Sequence, residues 1–150
     1  MNAMDRGSHL EAQALEFFEQ VSGKIVETVG FVESEKHQNI ASSPDGLIKV
    51  KGKYREAVEI KCLSSAHHLR AWMEDKIPKD YFPQAVQYFI VNPDLKILYF
   101  VLFDPRVSVH PMHVITLDRK DIEAEISEYQ AKEVILLSEV EVALSKIIQI

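Results

Sequence analysis

The chain has 150 residues, of which 47% are hydrophobic and 27% charged, and its formal net charge is −6. This length supplies one hydrophobic core, so we predict a single domain over residues 1–150. The acidic balance excludes a protein that coats nucleic acid through bulk positive charge, but not an enzyme with a local site. No apolar run would span a membrane, and the single cysteine excludes a disulfide framework. Since no leader-like segment opens the chain, we expect a cytoplasmic protein.

An amphipathic helix is predicted near the start of the chain. Residues 1–3 are set aside as a vector-derived scar. Apolar residues recur at helical spacing over 10–21, which predicts the helix itself. A capping box of Ser8 and Glu11 would begin this helix, and Gly23 would end it.

Three strands are predicted next. β-Branched and apolar residues predict strands at 25–32, 40–50 and 56–62. The second strand is interrupted at 43–46 by turn residues, and a turn at 51–53 joins it to the third.

Two helices, two strands and a final helix complete the predicted order. The helices are predicted at 67–76, before a proline, and at 83–91, which begins with one. An almost continuous apolar run at 95–103 indicates a central strand buried on both faces, and a shorter strand follows at 113–117. A long helix begins at Asp121. This order predicts an α/β (α+β) fold with a mixed central β-sheet flanked by α-helices.

One predicted strand ends in an unusual pair of charges. Alternation of side chains over 58–62 places Glu59 and Lys61 on one face and the apolar residues on the other. Asp45 lies between a proline and a glycine, and a hairpin through the 51–53 turn would bring it near Glu59. Two carboxylates beside a lysine would bind Mg²⁺ and hydrolyse a phosphodiester. The alternative is an ion pair on a solvated strand.

The surrounding motifs extend this pattern. They are Ser43-Pro44-Asp45-Gly46-Leu47, Glu59-Ile60-Lys61-Cys62, Tyr81-x-x-Gln84, Arg6-Gly7-x-x-Leu10-Glu11, Tyr99-Phe100, Phe103-Asp104-Pro105-Arg106 and Leu117-Asp118-Arg119. Together and in this order they resemble the lambda exonuclease and YqaJ-type recombinase family of the PD-(D/E)XK nuclease superfamily. The resemblance implies a PD-(D/E)XK restriction-endonuclease-like core.

The resemblance also implies a metal site. Asp45 and Glu59 match the two metal-binding carboxylates of the family, and the main-chain carbonyl of Ile60 would be a further ligand. Glu11 matches an acidic residue on the first helix that helps to hold a second metal. The expected cofactor is Mg²⁺, for which Mn²⁺ would substitute.

Four further residues match positions that act on the substrate in the family. Lys61 matches the catalytic lysine, and Gln84 matches a glutamine that supports this lysine or the attacking water. Ser43 and His67 fall where the family binds the 5′-phosphate, although His67 replaces an arginine. From the residues alone, His67 and His68 indicate a solvated helix start instead.

The function that the resemblance implies is a metal-dependent DNA exonuclease of phage-recombination type. It would act 5′ to 3′ on double-stranded DNA ends, in a bacterial or phage-infected cell, and expose single strands for recombination. A single-strand annealing protein would be its partner, and the lambda enzyme suggests a homo-oligomer, a ring-shaped trimer. Two alternatives stay open: an endonuclease of the same superfamily, and a non-catalytic DNA-end or protein-binding module that retains the fold.

Overall fold

The computed structural model of the protein describes the backbone of residues 3–149 and the side chains of residues 7–149. In this range the α-helices are α1 (Ala3–Ser22), α2 (Ser65–Glu74), α3 (Phe82–Val91) and α4 (Glu123–Ile148). The strands are β1 (Val32–Glu33), β2 (Ala41–Ser42), β3 (Gly46–Val50), β4 (Lys53–Lys61), β5 (Ile97–Phe103) and β6 (Met112–Asp118).

The four longer strands form one mixed sheet in the order β3-β4-β5-β6, while β1 and β2 pair separately. β3 and β4 form an antiparallel hairpin, and the turn residues Lys51 and Gly52 both have positive φ, 53° and 78°. Two successive positive φ angles define the type I′ turn, whose twist suits a hairpin. β4 and β5 are parallel, so their carboxyl ends lie at the same edge of the sheet, and β6 returns antiparallel to β5.

Helices cover both faces of this sheet, which confirms the predicted mixed sheet with flanking helices. On one face α1 packs through Phe18 into a buried cluster that includes Val58 of β4. On the other face Phe89 of α3 and Ile126 of α4 pack in a cluster with Leu98 of β5. None of the helices within residues 3–149 combines the length and apolarity needed to cross a bilayer.

The first helix differs from its prediction at one end and matches it at the other. α1 already begins at Ala3, so Ser8 and Glu11 lie inside the helix and the predicted capping box is wrong. Met1 and Asn2 of the predicted scar lie outside the described residues. Gly23 ends the helix as predicted, with φ of 69° and a hydrogen bond from its N–H to the Glu19 carbonyl.

The strand predicted at 25–32 is wrong over most of its length. Glu27 forms a single antiparallel bridge with Leu47, and only Val32 at the far end belongs to a strand. The N–H of Val26 is bound instead by the Glu19 side chain, at 2.7 Å, so a helix residue replaces a strand partner there. The second predicted strand is interrupted as expected, and its halves, β2 and β3, join different sheets.

Candidate active site

The charged residues at the end of β4 face α3. Glu59 is only 3% exposed in its side chain, and its Oε1 lies 2.6 Å from Nζ of Lys61. Gln84 donates from Nε2 to the same carboxylate at 3.0 Å, and the Tyr88 hydroxyl donates to Oε2. Both oxygens of this buried carboxylate therefore have donors within the fold, as burial of a charge requires.

Asp45 reaches the same place from the segment between β2 and β3. Its Oδ2 accepts a hydrogen bond of 2.7 Å from the main-chain N–H of Ile60, the residue between Glu59 and Lys61. Burial, followed by the charge of Glu59 and more weakly that of Glu11, raises the pKa of Asp45 to about 7. Asp45 is therefore a carboxyl group whose charge the fold itself does not fully compensate.

Close packing fixes the position of the Asp45 segment. Gly46 pairs with Val58 at the start of the β3–β4 ladder. A Cβ atom on Gly46 would lie 2.1 Å from Cγ1 of Val26, so only glycine fits without displacing this neighbour. The chain therefore turns directly from Asp45 into the sheet.

Glu11 approaches the two carboxylates from α1. Its charge raises the pKa of Asp45 and also that of Cys62, which burial and nearby carboxylates raise to about 11. Asp45 and Glu59 thus meet at the end of β4, and Glu11 acts on Asp45 through its charge. Within the described residues, however, no three His, Cys, Asp or Glu side chains converge closely enough to hold a metal ion by themselves.

Lys61 lies between a carboxylate and an aromatic ring. Its Nζ is 2.6 Å from Glu59 and 5.1 Å from the centre of the Tyr81 ring. A cation over a tyrosine face is attracted by the negative potential of the ring. The ammonium group is consequently held beside Glu59, while 21% of the Lys61 side chain stays accessible to solvent.

Tyr88 is a residue of this group that sequence reasoning missed. It lies one turn after Gln84 on α3, and the Gln84 amide also donates to its hydroxyl, at 3.1 Å. Burial, together with the Glu59 charge, raises the pKa of Tyr88, so the phenol stays protonated and can donate. The spacing Gln84-x-x-x-Tyr88 is the sequence signal that could have revealed it. Gln87, by contrast, donates to the Ala41 carbonyl on β2.

The two residues expected at the 5′-phosphate lie farther out. Ser43 is exposed in the segment that leads to Asp45, and His67 is exposed in the first turns of α2, with Nδ1 2.6 Å from Oγ of Ser64. Among the hydrogen bonds of the described residues, none joins either of them to Glu59 or Asp45. Their predicted roles stay predictions.

His68 corrects the expectation of a solvated helix start. Its side chain is fully buried, and Nε2 lies 3.0 Å from the His110 carbonyl. α2 therefore packs on the segment before β6 through this imidazole. The expectation holds only for its neighbour His67, which is exposed.

Comparisons with known proteins identify the family and the fold. Residues 1–92 match the model of the YqaJ-like viral recombinase domain. The crystal structure of LHK-Exo in complex with dAMP is similar, with a TM-score of 0.79 and 26% identity over 99% of this chain and 76% of that chain. A second structure, of the alkaline exonuclease LHK-Exo from Laribacter hongkongensis, has a TM-score of 0.69 and 24% identity over 98% of this chain and 77% of that chain.

These matches confirm the predicted fold and the predicted relationship. The comparison with curated proteins gave no match. The structural likeness supports the PD-(D/E)XK core, with its mixed sheet and flanking helices. Because the family model covers more than half of the residues, the chain belongs to the family of YqaJ-like viral recombinase domains.

Proposed function

We propose that this protein is a metal-dependent DNA exonuclease of phage-recombination type that degrades one strand of duplex ends in the 5′-to-3′ direction. The observation that carries the proposal is the meeting of Asp45 and Glu59 beside Lys61 at the carboxyl end of β4. Membership of the YqaJ-like family supports it. So does the likeness to an alkaline exonuclease that was crystallised with dAMP.

The donor set fits a hard divalent cation. Asp45 and Glu59 supply carboxylate oxygens, and the carbonyl of Ile60 points to the same edge of β4 as its N–H, which Asp45 binds. Mg²⁺ typically takes one or two protein carboxylates and completes its shell with waters and substrate phosphates. Crowding of carboxylates raises the pKa of Asp45, and a cation among them would relieve it. Glu11 would assist a second ion from α1. Mn²⁺ would substitute for Mg²⁺.

When bound, the metal would polarise the scissile phosphate and favour attack by water. Lys61, already held by Glu59 and the Tyr81 ring, would place its ammonium group where negative charge develops. Gln84 would keep Glu59 and the neighbouring water in place through its amide, which the structure places 3.0 Å from Glu59. Ser43 and His67 would bind the terminal 5′-phosphate.

The proposed reaction also implies partners. Exposed single strands would be passed to a single-strand annealing protein, and further copies of the chain would assemble around the duplex. Neither partner is needed for the hydrolytic step, which the residues of one chain can carry.

Digestion of end-labelled duplexes tests the proposal directly. Duplexes with and without a 5′-phosphate are incubated with Mg²⁺, Mn²⁺ or a chelator, and the wild type is compared with Lys61→Ala and Asp45→Ala. We expect metal-dependent release of nucleotides from the 5′ end by the wild type only. Lys51→Ala, in the exposed β3–β4 turn, is the matched control and should remain fully active.

Three results would contradict the proposal. The first is full activity of a Lys61→Ala variant that melts like the wild type. The second is cleavage of covalently closed circular DNA at the rate of linear DNA, which would favour the endonuclease alternative. Absence of any degradation by the folded wild type would favour the non-catalytic binding module.

A further inference from the structure

The carboxyl end of β5 lies beside the candidate site. β4 and β5 are parallel, and Lys61 pairs with Leu102 in their ladder. The chain leaves β5 at Phe103 and turns back through Asp104 and Arg106, where the N–H of Val107 donates to the Asp104 carbonyl at 3.1 Å. This turn is therefore at the sheet edge where the metal site is proposed.

Asp104 holds the Arg106 side chain in a fixed position. Arg106 donates from Nε to Oδ1 at 2.8 Å and from Nη2 to Oδ2 at 3.1 Å, a paired contact between two planar groups. Ser65 adds a hydrogen bond of 2.6 Å to Oδ2. The Asp104 side chain is 1% exposed, whereas that of Arg106 is 62% exposed. A buried carboxylate thus orients a guanidinium that is itself open to solvent.

Two of the five guanidinium donors are left for a ligand. Nε and Nη2 are used by Asp104, and Nη2 also donates to the Leu63 carbonyl at 3.3 Å. The N–H groups of Nη1 have no acceptor among the described residues. A planar guanidinium with free donors, held in place in advance, is suited to bind a phosphate.

The guanidinium borders a cavity beside the ends of β4 and β5. The cavity has a volume of about 260 Å³. Its lining includes Leu10, Cys62, Leu63, Phe103 and Arg106. Leu10 on α1 and Cys62 directly after β4 place the cavity between this helix and the strand end, on the sheet face opposite to Glu59 and Lys61. Its lining is mostly apolar, with Ser64, Asp104 and Arg106 as the polar members, and the apolar part suits the face of a base next to the bound phosphate.

The charges at this edge explain why a cation is needed there. Asp45 and Glu59 place carboxylates at the end of β4, and Asp104 places another in the adjoining turn after β5. The ammonium of Lys61 is already paired with Glu59. A polyanionic strand that enters this acidic region gains from a fixed cationic donor beside the metal.

We propose that Arg106 binds a backbone phosphate of the DNA strand adjacent to the phosphate that is cleaved, and that Asp104 acts as its positioning residue. The inference rests on the proposed function, since it assumes a DNA substrate. It gives Arg106 a role in strand binding that is separate from hydrolysis.

The test is DNA binding as a function of salt in the Lys61→Ala background with Mg²⁺, where the labelled duplex stays intact. Fluorescence anisotropy gives Kd between about 50 and 200 mM salt, and the slope of log K against log salt counts phosphate contacts. Arg106→Gln should raise Kd roughly tenfold and reduce the slope by about one. In otherwise wild-type protein, the same change should raise KM and leave kcat nearly unchanged.

A double variant separates binding from folding. Arg106→Gln alone leaves the buried Asp104 carboxylate without its ion-pair partner. The double variant Asp104→Asn/Arg106→Gln is therefore measured as well, because it keeps the net charge of the wild type and allows an amide–amide contact. Lys132→Gln on α4 is the control for loss of one surface charge and should leave the slope unchanged. The proposal is overturned if the folded double variant keeps the wild-type Kd and slope, even when its melting temperature falls.

The proposed role of Arg106 and the proposed nuclease activity can fail separately. If the wild type fails to degrade DNA, the proposed function fails, whatever Arg106 does. If the wild type is active and the double variant binds DNA with an unchanged slope, only the role of Arg106 fails.

Discussion

Asp45 and Asp104 lie at the same end of one sheet, yet their surroundings act on them in opposite ways. Burial and the charge of Glu59 raise the pKa of Asp45 to about 7. The paired contact with Arg106, aided by Ser65, lowers the pKa of Asp104 to about 2. The fold supplies a cation and donors for Asp104, whereas for Asp45 it supplies one N–H and more negative charge.

The ion-paired carboxylate of Asp104 therefore stabilises the folded state, whereas the crowded carboxylate of Asp45 destabilises it. A satisfied buried ion pair contributes to stability only as a unit, and loss of one partner is expensive. A crowded carboxylate destabilises the folded state until a ligand relieves it, a pattern concentrated at functional sites. We therefore expect substitution of Asp45 to impair activity more than stability, and substitution of Asp104 to impair stability more than activity.

Activity provides the largest expected contrast. Asp45→Asn should lower kcat by about 10³-fold or more, because it removes one of the two proposed metal-binding carboxylates while its amide oxygen still accepts from Ile60. Asp104→Asn should change kcat by no more than a few-fold. Single-turnover digestion of a labelled duplex measures both. Equal losses of kcat in two folded variants would show that the two carboxylates do not differ in function.

Stability should show the reverse order. At neutral pH, Asp104→Asn should reduce the free energy of unfolding by about 2 kcal/mol, measured by urea titration. Since the folded-state pKa lies below the unfolded-state value, this contribution is present above about pH 4 and is lost as the pH falls toward 2. The difference between wild type and variant should narrow over that window. Asp121→Asn, at an exposed position, is the control, and its free energy of unfolding should equal that of the wild type over the same pH range.

The elements that support these two carboxylates were predictable to different degrees. The hairpin between β3 and β4 follows from local signals, a Gly-containing turn between alternating strands, and it places Asp45 beside Glu59. The buried run of β5 likewise follows from its composition. Both depend on contacts near in sequence or on strand periodicity, which one chain displays directly.

What the sequence could not show depends on contacts between distant segments. The bond from Ser65 to Asp104 joins a helix to a strand end, and the bond from Tyr88 to Glu59 joins a helix to a strand. His68 is buried because the segment before β6 packs over it. Apart from the spacing of Gln84 and Tyr88 on α3, nothing in the residues around these positions distinguishes them from exposed polar residues, since the partner is supplied only by the tertiary fold.

Relief of crowding should be measurable as a gain in stability. In chelator at about pH 8, where the Asp45 carboxyl is ionised, Asp45→Asn should raise the free energy of unfolding by roughly 1 to 2 kcal/mol, since part of the repulsion is screened by water. The sign follows from a folded-state pKa above the unfolded-state value, which makes ionisation unfavourable in the fold. As the pH falls from about 7 toward 4, the wild type should approach the variant. A loss of stability in Asp45→Asn at pH 8 would contradict the crowding argument.

The contacts of Glu59 alone do not show whether it stabilises the fold, as Asp104 does, or serves catalysis, as proposed for Asp45. The variant Tyr88→Phe distinguishes these two roles. The substitution removes the hydroxyl that donates to Glu59 and accepts from Gln84, and it leaves the ring in place. If Glu59 is a metal ligand that Tyr88 orients, kcat should fall roughly tenfold and the free energy of unfolding should change by less than about 1 kcal/mol. If Glu59 instead serves the fold, as Asp104 does, stability should fall while kcat holds. Phe82→Leu, at the start of the same helix, controls for general loosening of α3, because it alters packing without touching Glu59. A kcat that falls in Tyr88→Phe but not in Phe82→Leu would place Glu59 with Asp45, since only an oriented ligand loses function when one donor is removed and its packing is kept.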